Sequence, residues 1–222
     1  MMEKCKLTRE QIAQRIAKDL QTGDIVNIGI GIPVLVSNYV ASDAEIIYHS
    51  EQGVLGMGEK AKPGEEDPDL VNASKEPVTL VPGGSYSHSA DSFAMARGKH
   101  IDVAILGGMQ VSEKGDLANW KIKGVKLGSI GGAMDIAIGA KKIFIAMTHT
   151  SKNGDIKIVN QLDYPVTALR CVDRIYTDLA VIDVTPNGLL LKEIAPGFTV
   201  EEIQNVTEPI LMIDKNLKRM EV

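Results

Sequence analysis

The sequence predicts an α/β fold: a single open, mostly parallel sheet flanked by helices, in one domain over residues 1–222. Three observations carry this. Short runs rich in β-branched residues alternate with helix-like segments along the chain. The middle runs, such as Asp102–Met109, are apolar almost without a break, as strands covered on both faces are. Glycine clusters stand where strands hand over to helices, at Gly29-Ile30-Gly31, Pro82-Gly83-Gly84 and Gly131-Gly132.

The elements follow in order. Thr8-Arg9-Glu10-Gln11 is a capping-box pattern, and Ile12, Ile16 and Leu20 recur at helical spacing, predicting an amphipathic helix that stops at Gly23. Asp24–Ile28 reads as a strand running into Gly29-Ile30-Gly31. Pro33, placed at a first turn, opens a helix over Val34–Val40. Glu45–His49 is a second strand. The three glycines of Gly53–Gly58 argue against a strand or helix continuing there. Residues 59–77, with Pro63, Gly64, Pro68 and Pro77, predict a long functional loop or a cover over the sheet rim. Val78–Val81 is a strand ended by Pro82-Gly83-Gly84, and Ser89–Arg97 a helix. Asp102–Met109 is a buried strand, Ile136–Lys142 a helix and Ile143–Met147 a core strand. Ile175–Thr185, the turn Pro186-Asn187-Gly188 and Leu189–Ile194 form a β-hairpin. Thr199-Val200-Glu201-Glu202 repeats the capping box and opens a last helix.

Composition excludes several classes of function. A net charge of -5, with both signs mixed along the chain, leaves no basic stripe for a nucleic acid. No apolar run is long enough to span a membrane, and charges interrupt the N-terminal region where a signal peptide would need an apolar stretch. The expected location is therefore cytoplasmic or in an organelle matrix. Cys5 and Cys171 have neither metal-ligand spacing nor a disulfide framework, so no metal site is expected.

Ser50-Glu51-Gln52-Gly53 carries the strongest chemical signal. It places a carboxylate between a strand end and a glycine turn, at the rim where α/β sheets bind ligands. An ordinary glutamate carboxyl is ionised at neutral pH and needs no base to act as a nucleophile. Alone, the stretch fits a solvated loop carboxylate better than a nucleophile. Gly29 and Gly31 follow a strand as a dinucleotide fingerprint would, but the third glycine is missing and Pro33 intervenes, so NAD binding is discounted. The exposed amides there, and at Gly131 and Gly132, could instead form an anion or oxyanion site, or simply make tight turns. His49 is read as a packing or hydrogen-bonding residue on the face opposite Glu51. Trp120 is read as a core or subunit-contact anchor.

Together these pieces resemble the β subunit of the family I, 3-oxoacid type, CoA-transferases. The matching segments are Asn27–Pro33, Ser50–Gly58, Asp69–Ala73, Ser92–Gly98, Ile105–Val111, Asp116–Trp120, Gly131–Asp135, Arg170–Ile175 and Asp183–Gly188. The resemblance implies a fold like that of CoA-transferases and ribose-phosphate isomerases, with Glu51 as covalent nucleophile. It also implies that Gly29, Gly31, Gln52, Gly53, Gly131 and Gly132 bind substrate or CoA or stabilise the oxyanion, with Gln52 either shaping the site beside Glu51 or completing the turn. The implied reaction moves CoA from an acyl-CoA to a short-chain carboxylic acid through a glutamyl-CoA thioester, with CoA a substrate and no cofactor. A 3-oxoadipate CoA-transferase and an acyl-CoA hydrolase using the same glutamate are the alternatives. The implied partner is a CoA-transferase α subunit, and the isolated chain is expected to form a homo-oligomer. The sequence departs from the family pattern at Tyr48, Gln52, Ser85–His88 and Lys121–Ile130, positions expected to line the acyl pocket.

Overall fold

A computed structural model describes residues 4–221, except 42, 123, 125 and 127. Among the described residues, ten strands form one sheet in the order β13-β12-β11-β10-β8-β5-β1-β2-β3-β4. Its centre is parallel: β10 (Arg174–Tyr176), β8 (Lys142–Ala146), β5 (Val103–Gly107), β1 (Ile25–Ile28) and β2 (Ile47–Ser50). Antiparallel strands extend both sides. β3 (Val54–Lys60) and β4 (Val78–Tyr86) continue from β2, and β11 (Ala180–Thr185) and β12 (Gly188–Ile194) continue from β10. β13 (Met212–Arg219) closes that end, parallel to β12. A small separate sheet joins β6 (Gln110–Ser112), β7 (Leu117–Ala118) and β9 (Ile158–Val159).

Alternation along the central strands builds two apolar layers. Val103 and Ile105 of β5 pack with Val26, Ile28 and Phe144 against helix α1 (Arg9–Ala17) and the 3-10 helix Pro33–Asn38. Ala104 and Leu106 pack on the opposite face with Ile143, Ile145 and Ile175. That face is covered by α2 (Ser89–Arg97), α3 (Ala133–Gly139) and α4 (Val200–Gln204), through Ala96, Ile136 and Ile203. Covering both faces is what the unbroken apolar run of β5 requires. Both predicted capping boxes form: the hydroxyls of Thr8 and Thr199 accept the amides of Gln11 and Glu202, whose side chains accept the cap amides in return.

Four expectations are corrected. The helix predicted over Val34–Val40 is a 3-10 helix, Pro33–Asn38. Gly53–Gly58 does not end the sheet, because β3 starts at Val54. Pro82-Gly83-Gly84 lies inside β4 rather than after it. The cause is position: β4 is an edge strand, where proline costs no ladder bond, and register shifts at Leu55/Met57 and Met57/Lys60 absorb the glycines. The helix predicted over Ile136–Lys142 starts earlier and ends at Gly139, because Lys142 opens β8. Among the described residues no helix is long and apolar enough to cross a membrane.

Candidate active site at the rim of the parallel strands

β1 is where the strand order reverses. The chain runs from β1 to β2 on one side, then returns to β5 and β8 on the other. The adjacent strands β5, β1 and β2 end together at Gly107, Ile28 and Ser50, and such a reversal leaves a crevice at their carboxyl ends. A cavity of about 360 Å³ opens there. Its wall includes Gly29 after β1, Glu51 after β2, Gly108 and Met109 after β5, and Gly131 and Gly132 before α3. Among the described residues that line it, Glu51 is the only ionisable side chain.

The turn that presents Glu51 is tight. The Gly53 amide donates to the Ser50 carbonyl at 3.0 Å. Gly53 has φ +115°, and a Cβ there would stand 2.1 Å from the Ser87 carbonyl oxygen, so only glycine fits. Gly132 is a close approach of another kind. A Cβ on it would lie 3.1 Å from Glu51 Cγ and 2.8 Å from the Phe93 ring, so its missing side chain lets the α3 loop reach the carboxylate.

Beneath Glu51 lies a buried polar chain. Asn27, His49 and Ser92 are each 1% exposed. The Asn27 Nδ2 group is 3.4 Å from Glu51 Oε2, 3.2 Å from His49 Nδ1 and 3.3 Å from the His49 carbonyl. His49 Nε2 is 2.8 Å from Ser92 Oγ, which also reaches the Ser50 carbonyl at 3.0 Å. Burial holds the His49 imidazole below its ordinary pKa, with the Glu51 charge pulling the other way. The expectation that His49 faces away from Glu51 is thus overturned. Residues two apart share a face while the chain stays extended, and Glu51 directly follows β2.

The other predicted site residues separate into two groups. Gly29, Gly131 and Gly132 share the cavity with Glu51, whereas Gly31, Gln52 and Gly53 do not line it. The Gly29 amide is already used, donating to the Ile105 carbonyl at 2.9 Å as β1 pairs with β5. It cannot also serve an oxyanion. The amides of Gly131 and Gly132 donate to no acceptor among the described residues. Gln52 is exposed, and its side-chain amide donates to the Val71 carbonyl, tying the Glu51 turn to the loop after β3. Ala73 of that loop lines the cavity, so the predicted cover does reach the rim.

The residues expected to line an acyl pocket behave differently from one another. Tyr48 packs into the apolar clusters rather than the Glu51 cavity, and burial pushes its hydroxyl up to about 12. His88 caps α2, accepting the Ala90 amide at 3.1 Å. Of Lys121–Ile130, Ser129 and Ile130 line the cavity, while residues 123, 125 and 127 lie outside the described residues. Trp120 is half-buried and donates its indole N–H to the Val166 carbonyl at 3.1 Å. Its neighbour Asn119, part of the matching segment Asp116–Trp120 but given no role there, lines the cavity and donates to the Gly107 carbonyl at 3.1 Å.

A family model described as coenzyme A transferase matches residues 9–205. The chain belongs to the coenzyme A transferase family. It is 52% identical over 203 residues to the β subunit of the 3-oxoadipate CoA-transferase of Pseudomonas putida, covering 91% of this chain and 95% of that one. It is 47% identical over 200 residues to the β subunit of the succinyl-CoA:3-ketoacid coenzyme A transferase of Helicobacter pylori, covering 90% and 96%. Among solved structures, an acyl-CoA transferase apoenzyme from Escherichia coli O157:H7 superposes with a TM-score of 0.78 at 23% identity. That match covers 97% of this chain but only 43% of the other, so the CoA-transferase fold seen here corresponds to less than half of that longer protein.

Proposed function

We propose that this chain is the β subunit of a CoA-transferase for short 3-oxo acids and that Glu51 is its covalent nucleophile. The observation that carries this is the placement of one carboxylate, alone among the described ionisable groups, in the cavity where the parallel strands reverse order. The Glu51 carboxylate attacks the thioester carbonyl of an acyl-CoA, giving an acyl-glutamyl anhydride and CoA thiolate. The thiolate then attacks the glutamyl carbonyl, releasing the first acid and leaving a glutamyl-CoA thioester. An acceptor carboxylate reverses the two steps and leaves with the CoA.

A carboxylate is a weak nucleophile, so orientation must supply much of the rate; it is worth on the order of 7–11 kcal/mol when reacting atoms are held in line. The Gly131 and Gly132 amides are the candidates for the oxyanion, a single donor being worth roughly 3–4 kcal/mol. This scheme uses no metal or organic cofactor, CoA itself being a substrate. The proposed assembly pairs the chain with a CoA-transferase α subunit, two such pairs forming a heterotetramer in the cytoplasm. Without that partner the chain is expected to self-associate.

The names of the relatives support two acceptors, acetoacetate-like 3-oxo acids and 3-oxoadipate. The decisive experiment co-expresses the chain with its α partner, adds acetoacetyl-CoA and treats the complex with borohydride. Reductive modification mapped to Glu51 by mass spectrometry is the expected result; CoA transfer without a mark on Glu51 would sink the assignment. Running the assay with acetoacetate, with 3-oxoadipate and with neither distinguishes the two acids. Acyl-CoA loss without any acceptor would instead make the enzyme a hydrolase.

A further inference from the structure

The buried chain beneath Glu51 has a direction, and its hydrogens can be assigned. Two of the three groups around Asn27 Nδ2, the His49 carbonyl and the Glu51 carboxylate, can only accept. Asn27 must therefore turn its NH2 group, not its carbonyl, toward them. His49 Nδ1, also facing that NH2 group, must then be unprotonated. The far side of the ring gives the same answer independently. Ser92 has one hydroxyl hydrogen and places it on the Ser50 carbonyl, so Ser92 Oγ accepts from His49 Nε2–H. Both ends specify a neutral imidazole with its hydrogen on Nε2.

We propose that Ser92 and His49 are positioning residues which act through Asn27 to hold one oxygen of Glu51, leaving the other free to attack the thioester. This rests on Glu51 being the nucleophile. Ser92 on α2 fixes the ring, and the ring fixes the Asn27 amide plane by occupying one of its N–H groups. The second N–H is left on the side of Glu51 Oε2 at 3.4 Å, where the His49 carbonyl at 3.3 Å shares it. A carboxylate otherwise free to rotate about its last bond is held in one orientation, and orientation is the resource a weak nucleophile depends on.

The geometry states what residue 49 must do: accept toward Asn27 and donate toward Ser92. Glutamine can do both, and leucine neither. In the complex with the α partner, His49→Leu is expected to lower kcat about 10²-fold, the scale of a small misplacement of reacting groups, with KM for acyl-CoA changed less than about twofold. His49→Gln is expected to restore kcat to within about tenfold of the parent. Added to Asn27→Ala, His49→Leu should cost less than about threefold more, because its route to Glu51 is already cut. A glutamine variant as slow as the leucine one, costs that multiply in the double variant, or a loss confined to KM would each overturn the proposal.

A measurement on the unsubstituted protein covers the case in which His49→Leu does not fold. Nitrogen-15 NMR of the histidine side chains should find His49 neutral and protonated on Nε2, and a hydrogen on Nδ1 would refute the relay. This readout is independent of the borohydride experiment. A parent complex that transfers CoA with Glu51 unmarked would remove the nucleophile assignment while the tautomer still decides the hydrogen-bond chain.

Discussion

Two buried histidines stand along the same rim of the sheet and are put to different uses. His49 lies at the end of β2, and His149 lies just past the end of β8. His149 is 0% exposed, with its ring nitrogens each 2.9 Å from a threonine hydroxyl, Thr177 after β10 and Thr207 after α4. Its backbone amide donates to Asp178 Oδ1 at 2.6 Å. All of these partners are buried, so the ring links β8, β10 and the α4 end into one scaffold. The hydrogen bonds of His49 run instead through Asn27 to a carboxylate in an open cavity. Burial and a polar partner at each ring nitrogen are therefore common to both, and only the far end of the chain distinguishes positioning from support. Beyond β8 and β10 the turn after α4 reaches the ring through Thr207, whereas a cavity opens beyond β5, β1 and β2.

The comparison breaks most visibly when one side loses its function and keeps its fold. Glu51→Gln retains size and hydrogen-bonding capacity but has no nucleophilic oxygen. It should abolish CoA transfer by at least about 10⁴-fold. Its urea midpoint should stay near the parent's, since the carboxylate is half-exposed and makes one long contact. His149→Ala should do the reverse. It leaves a cavity and removes the ring that joins the Thr177 and Thr207 hydroxyls, which keep their carbonyl acceptors, for a loss of about 3 kcal/mol of stability. The kcat of the folded complex should be unchanged. A large kcat loss in His149→Ala at a temperature where it is fully folded would erase the distinction between the two rings.

Sequence alone locates the nucleophile candidate but not the apparatus beneath it. A carboxylate after a strand and before glycine is a local pattern, as are the two capping boxes, because a few adjacent residues decide them. The Asn27–His49–Ser92 chain joins positions 22 and 43 residues apart, and only the parallel pairing of β1 with β2 and the docking of α2 bring them together. One signal is local: His49 and Glu51 are separated by two, which puts them on one side of an extended chain. Gly29 shows the opposite error. Its amide looks free in a glycine-rich turn but is consumed by Ile105 once β5 pairs with β1. The β3–β4 ribbon reads as turns because glycine and proline weaken a strand on average, yet an edge strand with bulges tolerates both.

Gly132→Ala tests whether the open side is limited by geometry rather than by stability. The new methyl would meet Phe93 at 2.8 Å and the stem of Glu51 at 3.1 Å, while φ at this residue is negative and suits alanine. Phe93 is half-buried and can shift, so the stability cost should stay within about 1 kcal/mol. Displacing Glu51 should still lower kcat by about 10- to 10²-fold. A variant with full activity would show that the carboxylate tolerates movement there, and with it that the buried chain under Glu51 matters less than its geometry suggests.

Stability also depends on pH, and the sign follows from burial. Burial, with lesser help from Lys157 and Lys6, pushes the His149 pKa down to about 3, and burial lowers that of His49 as well. In the unfolded chain both titrate near 6.5. Between those values the unfolded state binds protons that the folded state refuses, so stability is fully present above about pH 6.5 and falls as the pH is lowered toward the folded values. A single such group contributes a slope of up to about 1.4 kcal/mol per pH unit. Urea midpoints measured from about pH 7 to 5.5 at fixed protein concentration stay above the range where most carboxylates protonate. The parent should lose stability steadily across that window. His49→Gln should retain the larger part of the slope, because His149 still refuses its proton. If the glutamine variant instead flattened the whole profile, the acid-sensitive ring would be the one in the site, and the scaffold ring would not be the deeper of the two.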